Sequence, residues 1–472
     1  MSDRLTRGAA IFDLDRTLLK GASGPVISAA LRQAGLLPER SVPGEGLLFG
    51  LFDLIGEIRP SMILTRQAVR AARGWDAEVC RAAGREAAEQ LSEAVQPWAR
   101  VIIGDHQAAG RPVILATTTP YDLVEPLATA LGFDAIVATR YRVDETGLYD
   151  GTFEGEFVWG KGKLVAVRAW ADENDVDLRE CWAYSDSFYD RPLLDAVGQP
   201  VAVNPDPRLA AYAVVRRWPV QFLDAPPGVP KVLGIEPQTA AFPFLRNEFM
   251  PWVRFDVSGT EHLPADGPAL LCSNHRSYFD PLAVGYAAAR RGRPIRFLGK
   301  KEVFDAPLVG DLARAMGGIR VERGSGSDEP LLEAADCLRA GEVVAILPQG
   351  TIPRGRDFFD PHLKGKWGAA RLAAEMAAEG RTIPVIPMGL WGTEKVWPRN
   401  SRVPNLLNVF DPPTVEVRVG EPVRLGLEDP AVDTEAIMDA IVDLLPPEAR
   451  MPHEPTPGEL ARSLPPNVEP PD

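Results

Sequence analysis

The strongest constraint on the fold is a pattern that recurs along the first half of the chain, in which short apolar runs end abruptly in polar residues. The run Ala9–Phe12 ends in Asp13, and the run Pro112–Ala116 ends in three threonines. Similar runs follow at Ala135–Thr139, Cys181–Tyr184 and Pro200–Val203. Helical patterns separate the runs, which predicts a parallel sheet with crossover helices. The polar residues should therefore meet at the carboxyl edge of the sheet, where ligands bind in such folds.

The length of the chain, 472 residues, requires more than one hydrophobic core. After a stretch rich in proline, a second series of strand-like runs appears at Ala269–Cys272, Val343–Leu347, Thr382–Pro387 and Val415–Val419. We therefore predict a first α/β domain over residues 1–215, a linker over 216–240 and a second α/β domain over 241–445. The proline- and glutamate-rich tail, 446–472, is predicted to be disordered.

Composition and charge exclude several classes of protein. The formal net charge of −14 argues against a nucleic-acid partner, which would require a broad basic surface. No run reaches the roughly 18 apolar residues that a membrane-spanning helix requires, and the N-terminus lacks the features of a signal peptide. We expect a cytoplasmic protein whose contact with a membrane is peripheral.

The aspartates after the first apolar run suit phosphoryl transfer. Asp13 can attack phosphorus as a carboxylate nucleophile, and Asp15 can protonate the leaving oxygen and then activate water. Carboxylates crowded against phosphate oxygens need a counter-cation, and Mg²⁺ prefers these oxygen ligands. A third acid should come from another strand end, where Asp186 stands.

Two further side chains are candidates for binding the phosphoryl group. Thr117 can donate a hydrogen bond to it, and Lys163 can neutralise its charge. Thr118 or Thr119 could take the role of Thr117, and Lys161 could take the role of Lys163. The pattern of residues leaves these alternatives open.

The ordered motifs IFDLDRT, ILATTT, GKGK and YSDSFYD resemble the haloacid dehalogenase superfamily, specifically its subfamily around phosphoserine phosphatase. The resemblance spans about residues 8–210 and implies a Rossmann-like parallel sheet with a helical cap over about 21–98. It implies the roles given above for the two aspartates, the threonine and the lysine, together with Mg²⁺. The predicted metal ligands are Asp13, Asp15, Asp186 and Asp190. The threonines replace the Ser-Gly-Gly that is common in phosphoserine-type enzymes, so phosphoserine itself is not predicted as the substrate.

A second pair of catalytic residues stands in the segment CSNHRSYFDP, where His275 is followed five positions later by Asp280. A neutral imidazole can take the proton of an attacking hydroxyl while the carboxylate fixes its tautomer. Since no serine or cysteine stands in a nucleophile-elbow context, the pattern favours direct transfer from a thioester. As an alternative, Asp280 and Pro281 suit the N-cap and first position of a helix.

Three further segments, GGIRVERG, PQGTIPRG and VIPMGLWG, complete a resemblance to the glycerolipid acyltransferase family, whose type member is 1-acyl-glycerol-3-phosphate acyltransferase. The resemblance spans about residues 242–430 and implies His275 and Asp280 as the catalytic dyad. It implies that Arg323, Gly350 and Thr351 bind the phosphate of the acceptor.

The third of these blocks departs from the family pattern, which is usually Glu-Gly-Thr-Arg. Gln349 replaces the acid and Ile352 replaces the arginine. Gln349 keeps the capacity for hydrogen bonding but not the charge. Arg354, two residues further on, is a candidate to replace the missing arginine as a substrate-binding residue.

Together the two resemblances predict a bifunctional enzyme of phospholipid synthesis. One domain would transfer an acyl chain from acyl-coenzyme A or acyl carrier protein to 1-acyl-glycerol-3-phosphate and form phosphatidate. The other would be a Mg²⁺-dependent phosphomonoesterase. Two alternatives remain open: an acyltransferase with a non-catalytic, regulatory first domain, and a phosphatase with a lipid-binding second domain as a tether.

Membrane contact is expected at the inner face of the cell membrane. The basic stretch Arg290–Lys301 and the aromatic segment Phe242–Phe255 are the candidate surfaces. The aromatic residues could instead form the core of the second domain, and the basic stretch could instead bind the phosphates of coenzyme A.

Overall fold

The computed structural model describes residues 8–38, 59–232, 234–321, 329–465 and 468. The chain divides into two compact units, Met1–Pro227 and Gly228–Asp472. Each unit is built around its own sheet, and each described sheet has seven strands. The predicted α/β fold class is confirmed for both units.

The first sheet has its strands in the order β4-β3-β2-β1-β5-β6-β7. The strands are β1 (Ala10–Phe12), β2 (Val113–Pro120), β3 (Ala135–Val143), β4 (Tyr149–Glu154), β5 (Trp182–Ser185), β6 (Gln199–Val203) and β7 (Val220–Gln221). All neighbouring pairs are parallel except β3 and β4, which form an antiparallel hairpin at the edge. The Rossmann-like sheet is therefore mixed, and its buried central strand β1 connects directly to Asp13.

The helices of the first unit are α1 (Gly24–Gln33), α2 (Arg59–Ala71), α3 (Ala77–Glu93), α4 (Pro97–Ala108), α5 (Tyr121–Ala130), α6 (Lys161–Glu173), α7 (Arg191–Leu194) and α8 (Pro207–Arg216). The first three lie between β1 and β2, in the predicted cap. Asp76 caps α3 because its carboxylate accepts the backbone N–H groups of Glu78 and Val79. A Cβ on Gly84 of this helix would lie 2.6 Å from the carbonyl oxygen of Asp122, so only glycine permits its close packing on α5.

The second sheet has its strands in the order β11-β10-β12-β9-β13-β14-β8. The strands are β8 (Arg254–Ser258), β9 (Ala269–Ser273), β10 (Ile295–Lys300), β11 (Ile319–Val321), β12 (Val343–Ile346), β13 (Val385–Trp391) and β14 (Thr414–Val419). Only the pair β13 and β14 is antiparallel among these described strands. The central strand β9 is buried along its whole length and leads into Asn274 and His275.

The helices of the second unit are α9 (Pro237–Ala241), α10 (Asp280–Ala289), α11 (Lys301–Asp305), α12 (Val309–Ala315), α13 (Glu329–Arg339), α14 (Gly368–Ala378), α15 (Thr393–Val396), α16 (Pro430–Asp443) and α17 (Pro457–Ser463). Within the part of the chain that the structure describes, none of the helices combines the length and the apolar character needed to cross a bilayer.

The predicted linker, 216–240, includes residues that belong to the folded units on either side. Val220–Gln221 forms strand β7 and pairs with β6 in the first sheet. Glu236 forms an ion pair with the fully buried Arg296, with 2.8 Å between Glu236 Oε2 and Arg296 Nη1. Nη2 of the same arginine lies 3.1 Å from Glu342 Oε2. Proline-rich composition indicated a linker, but it excludes neither an edge strand nor a buried ion pair.

The prediction of a disordered tail over 446–472 is wrong for its central part, where α17 forms. The hydroxyl of Thr456 accepts the backbone N–H of Glu459, and the Glu459 carboxylate accepts the N–H of Thr456. This capping box satisfies the helix N-terminus, and Pro457 is compatible with the first helical turn. Residues 466–467 and 469–472 lie outside the described part.

The two segments expected to contact a membrane are partly internal. Met250 and Phe255 belong to the core of the second unit, whereas Phe244 and Phe249 are exposed. In the basic stretch, Arg293 is buried and donates to the backbone carbonyls of Pro264 and Gly267. Arg296 is buried in its ion pairs, so the stretch presents fewer charges to solvent than its sequence indicated.

A buried histidine of the first unit makes the stability of that unit depend on pH. The Nε2 of His106 lies 2.8 Å from the hydroxyl of Tyr184, and the Nδ1 of His106 lies 3.0 Å from Nη1 of Arg111. Burial, together with the positive charge of Arg111, lowers the pKa of His106 to about 4.

We predict that the free energy of unfolding of the first unit falls as the pH falls from about 6.5 to 4. In this window the unfolded chain binds a proton that the folded chain does not, which removes about 2–3 kcal/mol. Denaturant unfolding at a series of pH values should show this slope in the wild type and a smaller one in His106→Gln. Equal slopes in the two proteins would contradict the assignment.

Candidate active sites

The first site is formed by residues that directly follow β1 and β5 at the carboxyl edge of the first sheet. The hydroxyl of Thr17 lies 3.4 Å from Asp13 Oδ2 and 3.4 Å from Asp186 Oδ1. The same hydroxyl accepts the backbone N–H of Asp186 at 3.0 Å. The two carboxylates therefore flank one hydroxyl, and the prediction that Asp13 and Asp186 meet at this edge of the sheet is confirmed.

Lys163 lies at the centre of this cluster of acids. Its Nζ is 2.7 Å from Asp13 Oδ1 and 2.6 Å from Asp190 Oδ2, and its side chain is almost fully buried. Ser185 donates a further hydrogen bond to Asp190 Oδ2 at 2.8 Å. Lys161 begins the same helix but is exposed, so the structure places Lys163, and not Lys161, among the carboxylates.

The three threonines after β2's apolar run have different partners. Thr118 donates its hydroxyl hydrogen to the carbonyl of Val158 at 2.8 Å. Thr117 is buried and its hydroxyl accepts the backbone N–H of Thr119 at 3.2 Å. The hydroxyl of Thr119 lies 3.4 Å from that of Ser23. Thr118 thus uses its hydroxyl hydrogen in a bond to the backbone, while Thr117 and Thr119 remain candidates for donating a hydrogen bond to the phosphoryl group.

The loop after Asp13 is held by two amide side chains that the sequence patterns did not indicate. Gln96 donates to the carbonyl of Thr17 at 2.8 Å, and Asn204 donates to the carbonyl of Arg16 at 3.0 Å. Arg16 has a left-handed φ of +57°, a conformation that needs such support in a residue other than glycine. Asp15 Oδ1 accepts the backbone N–H of Ser23.

The acids of this site fit a magnesium ion that is bound together with a phosphate substrate. Among the described residues, no group of three or more acidic, histidine or cysteine side chains forms a complete metal cage. Mg²⁺ is usually held by one or two carboxylates with phosphate oxygens and water, and Asp13 and Asp186 supply two carboxylates. All four predicted ligands, Asp13, Asp15, Asp186 and Asp190, also contact protein groups here, and their roles as metal ligands stay predictions.

The second site is centred on a hydrogen bond of 2.7 Å between His275 Nδ1 and Asp280 Oδ2. The same carboxylate oxygen accepts the backbone N–H of Arg276 at 2.7 Å and that of Ser277 at 2.8 Å. Asp280 is fully buried, and its oxygen acts as an acceptor for these donors. In the neutral imidazole this hydrogen bond places the proton on Nδ1 and leaves Nε2 as an acceptor.

The alternative role of Asp280 as a helix N-cap is wrong. Helix α10 begins at Asp280 itself, and Phe279 occupies the capping position without a side-chain hydrogen bond. The carboxylate instead binds N–H groups that precede the helix. It orders the turn that carries His275.

Neighbouring strands supply the groups that hold this turn. Gln349, which follows β12, accepts the backbone N–H of His275 at 2.7 Å through Oε1. This bond needs an acceptor oxygen but no charge, so glutamine can replace the usual glutamate here. Asn274 exchanges two hydrogen bonds of 2.8 and 2.9 Å with the backbone of Leu390 on β13.

Arg276 is a positioning residue that the sequence patterns did not indicate. Its guanidinium carbon lies 4.4 Å from the ring centroid of Phe358 and 4.2 Å from that of Trp391. Its Nε also lies 3.1 Å from a carboxylate oxygen of Glu394. These contacts fix the residue whose backbone N–H binds Asp280, but they join distant parts of the chain and leave no local signal.

The turn predicted to bind the acceptor phosphate lies beside a lysine that was also missed. Gly350 has a φ of +70°, and a Cβ built on it would lie 3.2 Å from Cδ and 3.4 Å from Nζ of Lys366. The backbone N–H of Lys366 donates to Pro348 at 2.8 Å. The lysine therefore runs along the turn that contains Gly350 and Thr351.

The role of Arg354 in binding the substrate stays a prediction. Arg354 is exposed, and the buried Arg399 instead donates to the backbone carbonyls of Ile352 and Pro353. Burial, together with the positive charge of Arg354, lowers the pKa of Arg399. Arg323 lies outside the described residues.

Comparison with known proteins finds a matching family model in each of the two units. Residues 10–195 match the family model of haloacid dehalogenase-like hydrolases, and residues 254–391 match that of acyltransferases. An inhibition of morphological differentiation protein from Streptomyces azureus is 36% identical over 221 residues, which cover 46% of this chain and 78% of that protein. The chain joins a haloacid dehalogenase-like hydrolase domain to an acyltransferase-family domain.

Two further similar proteins each match less than half of this chain. A probable phosphatase of Mycobacterium tuberculosis is 34% identical over 225 residues, with 47% of this chain and 77% of that protein covered. A structure of the 1-acyl-sn-glycerophosphate acyltransferase from Thermotoga maritima is 21% identical, with a TM-score of 0.31, and covers 44% of this chain and 75% of that one.

We predict that Lys163→Met destabilises the first unit by about 3 kcal/mol, because it leaves the buried Asp190 without its cationic partner. Lys161→Met, at the exposed position of the same helix, should change the free energy of unfolding by about 0.5 kcal/mol or less. Denaturant unfolding of the two variants measures both effects. A similar loss of unfolding free energy in both variants would contradict the central position of Lys163.

Proposed function

We propose that the second unit transfers an acyl chain from acyl-coenzyme A or acyl carrier protein to 1-acyl-glycerol-3-phosphate and forms phosphatidate. The observation that carries this proposal is the hydrogen bond between His275 and Asp280, which leaves Nε2 of the imidazole as a base. The match of residues 254–391 to the acyltransferase family supports the reaction class.

In the proposed reaction, Nε2 of His275 takes the proton of the acceptor's free hydroxyl as its oxygen attacks the thioester carbonyl. Asp280 stabilises the imidazolium that forms. The tetrahedral intermediate then collapses, the bond from carbon to sulfur breaks, and the thiolate receives the proton from His275. An ester and a thiol are the products, and no covalent intermediate with the enzyme is needed.

The acceptor phosphate is proposed to bind at the turn that contains Gly350 and Thr351. Backbone N–H groups at a turn with a left-handed glycine favour anions, and Lys366 adds a positive charge beside the glycine. Arg323 and Arg354 are the further proposed contacts. The positive charge of Lys366 would partly replace that of the arginine that the family usually has at the position of Ile352.

The first unit is proposed to act as a Mg²⁺-dependent phosphomonoesterase. Asp13 would attack phosphorus, and Asp15 would protonate the departing oxygen, so that an aspartyl-phosphate forms. Asp15 would then take a proton from the water that attacks this intermediate and releases phosphate. Lys163 would hold Asp13 in place and neutralise charge on the phosphoryl group. Bound Mg²⁺ would supply further positive charge to the phosphoryl oxygens.

The assembled contacts favour two catalytic units over the two alternatives in which one unit is only regulatory or only a tether. Lys163, Asp13 and Asp190 form a buried cluster in the first unit. His275 and Asp280 are paired in the second. Because the proposed acceptor and product are lipids, we also propose that the protein acts peripherally at the inner face of the cell membrane.

We predict that His275→Ala lowers the rate of acyl transfer to 1-acyl-glycerol-3-phosphate roughly 10²- to 10⁴-fold, because it removes the general base. The measurement is the formation of phosphatidate from acyl-coenzyme A, with His262→Ala as the control variant. His262 is another histidine of the second unit, and its Nδ1 lies 3.0 Å from the carbonyl oxygen of Val419. No phosphatidate from the wild type with either acyl donor would refute the proposed function.

We predict that Lys366→Gln raises the KM for 1-acyl-glycerol-3-phosphate about tenfold or more through the loss of a charge-assisted contact with the phosphate. The KM for 1-acylglycerol, which lacks the phosphate, should not change. Lys364→Gln, exposed and two residues earlier, is the matched control. An equal increase in KM for both acceptors would show that Lys366 does not bind the phosphate.

A further inference from the structure

A loop of the second unit, residues 402–410, exposes an unusual number of large apolar side chains. We call it the apolar loop; it connects the segment after α15 with the segment before β14. Its exposed apolar residues are Val403, Leu406, Leu407, Val409 and Phe410. Leu407 is 89% exposed and Phe410 is 97% exposed, so neither contributes to the core of the unit. Exposed apolar clusters of this kind mark surfaces that contact a protein or a membrane.

Residues 395–410 carry only positive charges, and the exposed Asp411 follows directly. Between Glu394 and Asp411 the chain contains no acid, but it contains Lys395, Arg399 and Arg402. Lys395 and Arg402 are exposed. This local excess of positive charge occurs in a chain with a formal net charge of −14. Apolar side chains flanked by cations are the combination that favours an anionic lipid surface.

The apolar loop is attached to the elements that form the acyltransferase site. The backbone N–H of Asn405 donates to Val396 at 2.8 Å, and the neighbouring Trp397 accepts the hydroxyl hydrogen of Ser277 at 2.7 Å. Arg399 binds the turn that follows Gly350 through the carbonyl of Pro353, at 3.0 Å. These contacts connect the loop to both the histidine turn and the phosphate turn.

We propose that the apolar loop inserts into the surface of an anionic bilayer and thereby places the His275 site at the lipid acceptor. The choice of a lipid occupant rests on the proposed function, in which acceptor and product are both lipids. A second copy of the chain fits the loop less well, since a symmetric contact would place each patch against itself. The positive charge of Arg402 would then be present twice in one interface.

The segments expected from the sequence to contact the membrane fit this role less well. Arg293 and Arg296 of the basic stretch are turned inward, and Phe255 of the aromatic segment is in the core. Phe244 and Phe249 are exposed, but their rings also pack against each other at 5.6 Å between centroids. The apolar loop combines fully exposed apolar side chains with neighbouring cations.

The test is flotation of the full chain with vesicles made of equal parts of phosphatidylglycerol and phosphatidylcholine. The double variant Leu407→Gln/Phe410→Gln should bind these vesicles at least tenfold more weakly than the wild type. Val214→Gln/Val215→Gln is the matched control, because these valines of α8 are 76% and 79% exposed and should not affect binding. Binding of the wild type should also weaken in 0.5 M salt or with pure phosphatidylcholine.

Two results would overturn the proposal. The first is vesicle binding of the double variant equal to that of the wild type. The second is a wild type that sediments as a dimer and a double variant that sediments as a monomer with unchanged vesicle binding, which would make the apolar loop a contact between copies. Equal thermal unfolding of both proteins shows that the substitutions leave the fold intact.

A kinetic comparison separates failure of this proposal from failure of the proposed function. The double variant should lose acyl transfer to an acceptor embedded in vesicles but keep it with a short-chain acceptor that stays monomeric in solution. Equal losses with both acceptors would contradict a role confined to the membrane. A wild type that binds vesicles through the loop yet transfers no acyl chain would refute the proposed function and leave the membrane surface standing.

Discussion

Parallel pairing of the central strand in each sheet is the constraint on which both sites depend. β1 lies between β2 and β5, and β9 lies between β12 and β13. Parallel neighbours end at the same edge of a sheet, so residues distant in sequence become adjacent at that edge. Asp13 thereby meets Asp186, and His275 meets Gln349. A shift of one residue in the register of either central strand would turn these side chains towards the opposite face.

The two sites use buried charge in different ways. In the first site, Lys163 lies between Asp13 and Asp190, so a cation is already present where a phosphate and its counter-ion would add further charge. In the second site, no permanently charged cation pairs with Asp280 within the described ranges of the chain; backbone N–H groups and His275 donate to one of its oxygens. The first arrangement suits a group that carries negative charge throughout the reaction. The second suits a proton that moves to His275 and leaves again.

The sequence predicted those features that depend on short-range patterns, and it failed where contacts cross the chain. Strand ends, the Asp13 loop and the pair of His275 and Asp280 each leave a local signature. Lys366 beside Gly350, and Arg276 between two aromatic rings, depend on how separate segments pack. The linker and the tail were misjudged for a related reason, since composition described their prolines but not the ion pair of Glu236 or the capping box of α17.

The central claim, that one chain holds two catalytic sites that work independently, is tested most directly by exchanging the assays between the two active-site variants. Phosphate release from a phosphomonoester is measured for His275→Ala, and acyl transfer to a soluble acceptor is measured for Asp13→Asn. We expect each variant to retain the wild-type rate in the assay of the other site. Loss of phosphate release in His275→Ala, or loss of acyl transfer in Asp13→Asn, in a variant that unfolds like the wild type would contradict the claim.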